Sequence, residues 1–331
     1  MELSNRALSS EKTSISVVIP VYGCPEALPE LHERLTNTLI KIVGNDYEII
    51  LVNDACPKNS WRVVEKLCNE DSHVTGLELS RNFGQIRAIL AGLDYCKGEW
   101  VVVMDCDLQD QPEEIIRMYQ KVKDENLDTV FARRVARKDG KGKIFLAKRF
   151  YNLYSWATGI KYDPSLCNFS MSHRKVIDAY CSMRELHRAF IMYIQWMGFR
   201  EGTIDVDHHA RFAGKSGYTL KKRIDFALEI LTSQSDKLLR VMMKAGIGIS
   251  MLSFIAVIVT IIKHFVTSVP VGWSSLIAVI FFSTGLLLTA LGVIGIYIGN
   301  IFMQVKDRPL YIVRTVLNNK TSKDTSSKVK E

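Results

Sequence analysis

Apolar residues in the first part of the chain follow two rhythms. Ile15–Pro20 (ISVVIP), Tyr47–Val52 (YEIILV) and Trp100–Met104 (WVVVM) are short, nearly continuous apolar runs, and Val74–Leu79 and Thr129–Ala132 are weaker versions of the same pattern. Between them, Glu26–Val43, Ser60–Asn69, Gly84–Cys96 and Pro112–Glu125 repeat apolar residues at helical spacing. A strand that is apolar on both faces must be covered on both faces. Strands of this kind separated by amphipathic helices predict an α/β fold built on a mostly parallel, Rossmann-like sheet. Such sheets bind ligands beyond the carboxyl ends of their strands. Three predicted ends carry polar groups there: Pro20-Val21-Tyr22, Asn53-Asp54 and Asp105-Cys106-Asp107.

The middle of the chain is mixed. Arg133–Arg149 holds eight basic residues and one acid, Asp139. Tyr151–Thr158, Arg174–Met183 and Glu185–Met197 have helical patterns, and Tyr218–Lys244 is a long amphipathic stretch suited to a bilayer surface. From Lys244 to Lys306 the only intervening charge is Lys263. Ala245–Ile262 and Ser274–Val305 each reach spanning length, separated by a turn at Pro270-Val271-Gly272-Trp273. Lys237, Arg240 and Lys244 flank one side, and Lys306, Arg308 and Arg314 the other. Positive flanks at both ends predict a multi-pass membrane protein with both termini in the cytoplasm. The expected domains are a flexible 1–14, a catalytic 15–217, juxtamembrane helices at 218–244, a two-helix transmembrane hairpin at 245–305 and a cytoplasmic tail at 306–331.

Composition narrows the class. The 331 residues carry 43 basic and 35 acidic side chains, a net of +8, with 47% hydrophobic and 24% charged residues. These values exclude a disordered chain and a small disulfide scaffold. The seven cysteines are odd in number, contain no C-x-x-C pair and all precede the apolar region, which points to a reducing compartment. The basic run beside a membrane anchor is better suited to anionic headgroups and a lipid phosphate than to nucleic acid, and no nucleic-acid partner is expected. His208-His209 is read as a surface pair, and Trp156 and Trp196 as core residues.

The strongest chemical signal is Asp105-Cys106-Asp107-Leu108-Gln109 at the end of a buried strand. Two carboxylates at i and i+2 repel each other unless a cation lies between them, and hard oxygen donors suit Mg²⁺ or Mn²⁺. With this motif stand VVIPVY (Val17–Tyr22), EIILVNDA (Glu48–Ala55), SRNFGQ and AGLD (Ser80–Gln85, Ala91–Asp94), VVVMDCDLQDQPE (Val101–Glu113), NFSMSHR (Asn168–Arg174) and RFAGKSGY (Arg211–Tyr218). In order and spacing the chain resembles family 2 glycosyltransferases of the GT-A fold, and more narrowly the polyprenyl-phosphate hexosyltransferases, which include bactoprenol glucosyltransferases and dolichol-phosphate mannose synthase.

The resemblance implies roles. Pro20, Tyr22 and Asp54 would line the nucleotide base and ribose; Asp105, Asp107 and Gln109 would hold Mg²⁺ or Mn²⁺ on the sugar-nucleotide diphosphate. Arg211 and Ser216 would lie on a loop closing over that diphosphate, and Arg133 or Arg134 would meet the acceptor phosphate. The implied reaction is inverting transfer of a hexose, with a UDP-linked donor expected, onto polyprenyl (undecaprenyl) phosphate at the cytoplasmic membrane face, by a homo-oligomer. Three positions depart from the family pattern. Gly23-Cys24 stands where relatives commonly carry Asn-Glu, Asn168 where many carry Asp, and Gly214-Lys215-Ser216-Gly217 where G-E-S-K is usual. A phosphate monoester, with a second pKa near 6, is already largely ionised at neutral pH, so a protein base at position 168 is not chemically required. The alternatives are a processive polysaccharide synthase, whose Q-x-x-R-W motif is absent here, and a non-catalytic membrane scaffold.

Overall fold

A computed structural model of the chain describes residues 13–134, 155, 163, 165–186, 188–207, 237–266 and 272–318. The chain divides into two compact units. One comprises Met1–Leu146, Tyr162–Gly217 and Pro309–Glu331, the other Ala147–Lys161 and Tyr218–Arg308.

The first unit is built on an eight-stranded sheet of order β7-β5-β6-β4-β1-β2-β3-β8. Its strands are β1 (Ile15–Val21), β2 (Tyr47–Asn53), β3 (Val74–Leu79), β4 (Trp100–Val103), β5 (Thr129–Arg134), β6 (Leu166–His173), β7 (Glu201–Val206) and β8 (Val313–Asn318). The helices are α1 (Leu28–Val43), α2 (Ser60–Glu70), α3 (Gln85–Tyr95), α4 (Glu114–Asp124), α5 (Arg174–Ser182) and α6 (Phe190–Trp196). The β1–β2, β1–β4, β2–β3 and β5–β7 pairs are parallel. By contrast β6 runs antiparallel to both β4 and β5, and β8 antiparallel to β3. The sheet is therefore mixed, more so than the first five strands alone predict.

Continuous apolar strands feed two cores because successive side chains point to opposite faces. Val17, Ile19, Ile49, Leu51, Val102 and Met104 join α1, α2 and α4 on one side. Their neighbours Val18, Ile50, Val52, Val101 and Val103 join α3, α5 and α6 on the other. Each fully buried Val, Leu or Ile contributes about 1.5–3 kcal/mol by leaving water, so replacing one such strand residue with a polar group weakens one layer only. On the second side α3 lies very close to the sheet: a Cβ at Gly92 would overlap Val18 Cγ1 and approach Val52 Cγ2 to 3.1 Å.

Some elements differ from expectation. The helix expected over Glu185–Met197 is confined to Phe190–Trp196, where five successive residues, Phe190–Ile194, are buried. Trp196 is 64% exposed rather than part of the core, because it follows that buried turn at the helix end. β6, β7 and β8 carry Ser, Asn, Thr, Asp and Glu among their apolar residues, and only the partner strand defines them.

In the second unit α7 (Lys237–Val266) and α8 (Trp273–Val305) are single long helices over the two apolar stretches. Among the described residues, one segment, Phe282–Val305, is long and apolar enough to cross a membrane, with a mean hydropathy of 2.1. Trp156, His208, His209, the basic run after Arg134 and most of the Tyr218–Lys244 stretch lie outside the described residues.

Candidate active site

The strand order reverses direction of growth between β1 and β4, so the crevice for a ligand opens where these two parallel strands end. β1 leads to Tyr22, which is 53% exposed, while Pro20 is buried within the strand opposite Val52. β4 leads to the carboxylate-rich loop 105–110. That loop is held from several sides. Arg34 of α1 donates through Nε to Glu113 Oε1 at 2.9 Å and through Nη2 to Glu113 Oε2 at 2.6 Å. Gln111 Nε2 donates to the Leu108 carbonyl at 3.3 Å, and Leu108 itself is held at φ 58°. Left-handed backbone at a buried leucine costs of order 1–3 kcal/mol and persists where surroundings over-determine it, as they do here.

The carboxylates are unequal. Asp105 Oδ1 accepts a hydrogen bond of 2.6 Å from Gln85 Nε2, at the start of α3. Burial, then the negative charges of Asp110 and Asp107, push the Asp105 carboxyl up to about 7, against the pull of Arg134 and Gln85. Asp107 Oδ1 accepts the Gln109 N–H at 3.2 Å. Asp110 is buried and pairs with Arg134 Nη2 at 3.2 Å. Asp105, Asp107 and the Gln109 amide oxygen are hard oxygen donors. Mutual repulsion is itself a cause of the raised Asp105 carboxyl, and a divalent cation would relieve it, so these residues fit Mg²⁺ or Mn²⁺. No cluster of three His, Cys, Asp or Glu side chains suited to a metal occurs among the described residues. The candidate set is two carboxylates and an amide.

The two arginines of FARR separate. Adjacent residues on a strand face opposite sides. Arg134 turns to Asp110, whereas Arg133 turns to the sheet edge, where Nε meets Asp205 Oδ1 at 2.6 Å. Asn168 lies on β6, whose register with β4 pairs Val103 with Ser170. Asn168 therefore lies two residues beyond the last β4–β6 pair, toward the loop that follows β4.

Asp54 has a different setting from the expected nucleotide contact. It is 2% exposed, and its two carboxylate oxygens accept the backbone N–H groups of Phe83 at 2.6 Å and Gly84 at 2.8 Å. Burial raises its pKa, opposed by those N–H groups and by Arg81 and Arg87. Asp54 thus pins the turn that delivers Gln85 to Asp105; Gly84 supplies the φ of 92° that the turn needs. Arg211 and Ser216 lie outside the described residues.

Sequence reasoning assigned no role to Gln85 or Asp110, although both stand inside quoted motifs, SRNFGQ and DCDLQD. It also missed a bond between Cys24, just beyond β1, and Cys106, between the two carboxylates. The odd cysteine number offered no signal for it.

A family model for glycosyl transferase family 2 matches residues 16–181. An undecaprenyl-phosphate 4-deoxy-4-formamido-L-arabinose transferase of Shewanella sediminis is 33% identical over 316 residues, 93% of this chain and 94% of the relative. A protein of Bacillus subtilis described as the uncharacterized glycosyltransferase YkcC is 36% identical over 92% of this chain and 94% of its own length. Among solved structures, the mannosyltransferase PcManGT from Pyrobaculum calidifontis, in complex with GDP-Man and Mn²⁺, gives a TM-score of 0.44 at 18% identity, covering 70% of this chain and 65% of that one. A match over half the chain and relatives of this identity along nearly its whole length lead to one conclusion: the chain belongs to glycosyl transferase family 2 and is a glycosyltransferase.

Proposed function

We propose that this glycosyltransferase moves a sugar from a nucleotide diphosphate donor, a UDP-hexose in the first instance, onto undecaprenyl phosphate at the cytoplasmic face of a bacterial inner membrane, with inversion at the anomeric carbon. The observation that carries the reading is that Arg134, paired with Asp110, lends its charge to Asp105 on the carboxylate loop that follows β4. The names of the relatives support the acceptor.

Bound Mg²⁺ or Mn²⁺ would supply positive charge to the donor diphosphate, where negative charge grows as the glycosidic bond breaks. Asp105, Asp107 and Gln109 are the residues to hold it. Tyr22, exposed after β1, would cover the nucleotide. Arg134 presents a planar fork that matches phosphate oxygens better than a lysine point charge. Asp110 fixes that fork while leaving further N–H donors for the acceptor. The acceptor phosphate brings its own negative charge, so Asn168 serves as a neutral hydrogen-bonding group rather than as a base.

Membranes containing the protein, incubated with undecaprenyl phosphate and a panel of labelled UDP- and GDP-sugars and a nucleotide-linked 4-deoxy-4-formamido-L-arabinose, test this directly. One donor is expected to yield a labelled, organic-extractable lipid. Label appearing only in a long water-soluble glycan would establish the processive alternative instead.

A further inference from the structure

One departure from the family pattern meets the Asp105–Asp107 motif in space. Cys24 replaces the usual Glu after β1, and Cys106 lies between Asp105 and Asp107; their sulfurs are bonded, with Cα atoms 6.5 Å apart and 82 residues between them in sequence. The bond therefore joins the two strand ends that form the ligand crevice. Small domains use disulfides to replace a core that they lack. This unit has no such need. Cys24 and Cys106 are 4% and 6% exposed and lie in a large apolar cluster with Ala27, Leu28, Met104 and Leu108. As thiols, both would pack there as small apolar side chains.

The other five cysteines are free. Burial pushes the thiols of Cys68 and Cys96 up to about 11 and that of Cys167 up to about 12, which keeps them protonated and unreactive. Cys56 accepts the N–H of Gly23 at 3.1 Å and the Ser60 hydroxyl at 3.0 Å, so it braces the backbone beside Cys24 without joining the bond.

We propose that Cys24–Cys106 is a reversible thiol–disulfide modification site on the donor-binding loop, oxidised by low-molecular-weight disulfides, and that its bonded form is the less active one. The inference rests on the reading of Asp105 and Asp107 as the metal and diphosphate site. In the bonded arrangement Asp105 Oδ1 is taken by Gln85, and Asp107 Oδ1 by the Gln109 N–H. Receiving a cation and a diphosphate would exchange these partners for the metal, and a covalent tie on the residue between the two carboxylates restrains the loop that must adjust. The chemistry balances. One cysteine thiolate attacks the small disulfide and expels one small thiolate. The second cysteine thiolate then attacks the resulting mixed disulfide, forming the Cys24–Cys106 bond and expelling the other. Two thiol protons leave the protein, and its two lost electrons reside on the two small thiols released.

The experiment equilibrates the full-length protein in detergent micelles with mixtures of reduced and oxidised glutathione. Samples are acid-quenched, alkylated under denaturing conditions and analysed by peptide mass. Sugar transfer, and calorimetric binding of Mn²⁺ and UDP, are measured on the same samples. Expected is a reversible Cys24–Cys106 peptide pair whose formation lowers kcat/KM for the donor roughly five- to tenfold, the scale of ordinary coupling between sites. Cys24→Ser should not respond to the mixture, while Cys56→Ser should respond as the wild type does. Failure to find that peptide pair at any ratio overturns the proposal, as does a pair that forms without changing transfer or binding. If no donor is turned over in either state, the functional reading fails separately. The modification site is then judged by whether Mn²⁺ and UDP binding weakens as the pair forms.

Discussion

At the scale of single residues, the crevice is an arrangement of charges in which each partner limits the next. Asp107 lies on the loop after β4, outside the strands, and accepts the Gln109 N–H within that loop, so its removal leaves the strands of the sheet in place. Asp107→Ala should therefore abolish transfer while the solubilised protein keeps its thermal midpoint. Thorough chelation should mimic it, with rescue by Mg²⁺ or Mn²⁺; full turnover without divalent ions would exclude the metal role. The arginine pair gives a sharper contrast. Arg134→Ala takes away the acceptor's expected charge-assisted partner, a loss of about 1.5–3 kcal/mol or roughly ten- to a hundredfold in kcat/KM for the lipid phosphate. Arg133→Ala removes an exposed pairing with Asp205 at the far edge, and transfer should change little. Equal losses in the two variants would mean that the acceptor approaches from the β7 side.

At the scale of elements, contact between helix and sheet decides effects that propensity alone would misjudge. Alanine normally stabilises a helix over glycine by about 1 kcal/mol. Gly92 of α3 faces Val18 and Val52 so closely that Gly92→Ala must lift the helix or displace both valines. Overpacking of this kind costs roughly 1–3 kcal/mol, so the sign should invert and the thermal midpoint should fall. Two carboxylates tie elements together and set the acid limit of the fold. Asp71, between α2 and β3, is lowered despite burial because it accepts from the His73 N–H, His32 and His73. Asp128, before β5, is lowered despite burial by Lys175 and the Arg200 N–H. A folded pKa below the unfolded value contributes stability that is complete above the unfolded pKa, about 3.9, and is lost as pH falls through the folded value. Thermal midpoints should thus fall on acidification below about pH 4, and Asp71→Asn should flatten that fall.

The same scale shows how much was legible in the chain. β1, β2 and β4 were readable because burial on both faces demands apolar residues at every position, and the ligand crevice followed from where those strands stop. β6 and β8 were not: LCNFSMSH and VRTVLN match no strong pattern, and β8 finds its partner more than two hundred residues earlier, at β3. Likewise the carboxylates of 105 and 107 announced themselves by spacing. Asp54 could not announce that its oxygens would be consumed by Phe83 and Gly84, because that depends on how a distant turn folds back. The separate fates of Arg133 and Arg134 required the strand's exact facing.

At the scale of the whole molecule, both apolar stretches are continuous helices, and basic residues flank them. The two-span topology proposed from that pattern places Glu331 in the cytoplasm. A reporter fused there and active only in the cytoplasm should give signal, and one active only outside should remain silent. Inversion of those signals would require an odd number of crossings. β8 follows the apolar helices in sequence yet forms the edge of the sheet made by the first two thirds of the chain. A ribosome therefore exposes β1 to β7 long before their last strand exists. Until residues 313–318 emerge, β3 is an open edge with unpaired N–H and C=O groups, a template for the wrong neighbour. The sheet is thus completed only after the hydrophobic helices have been synthesised, and a fragment cut before them leaves β3 as an open edge.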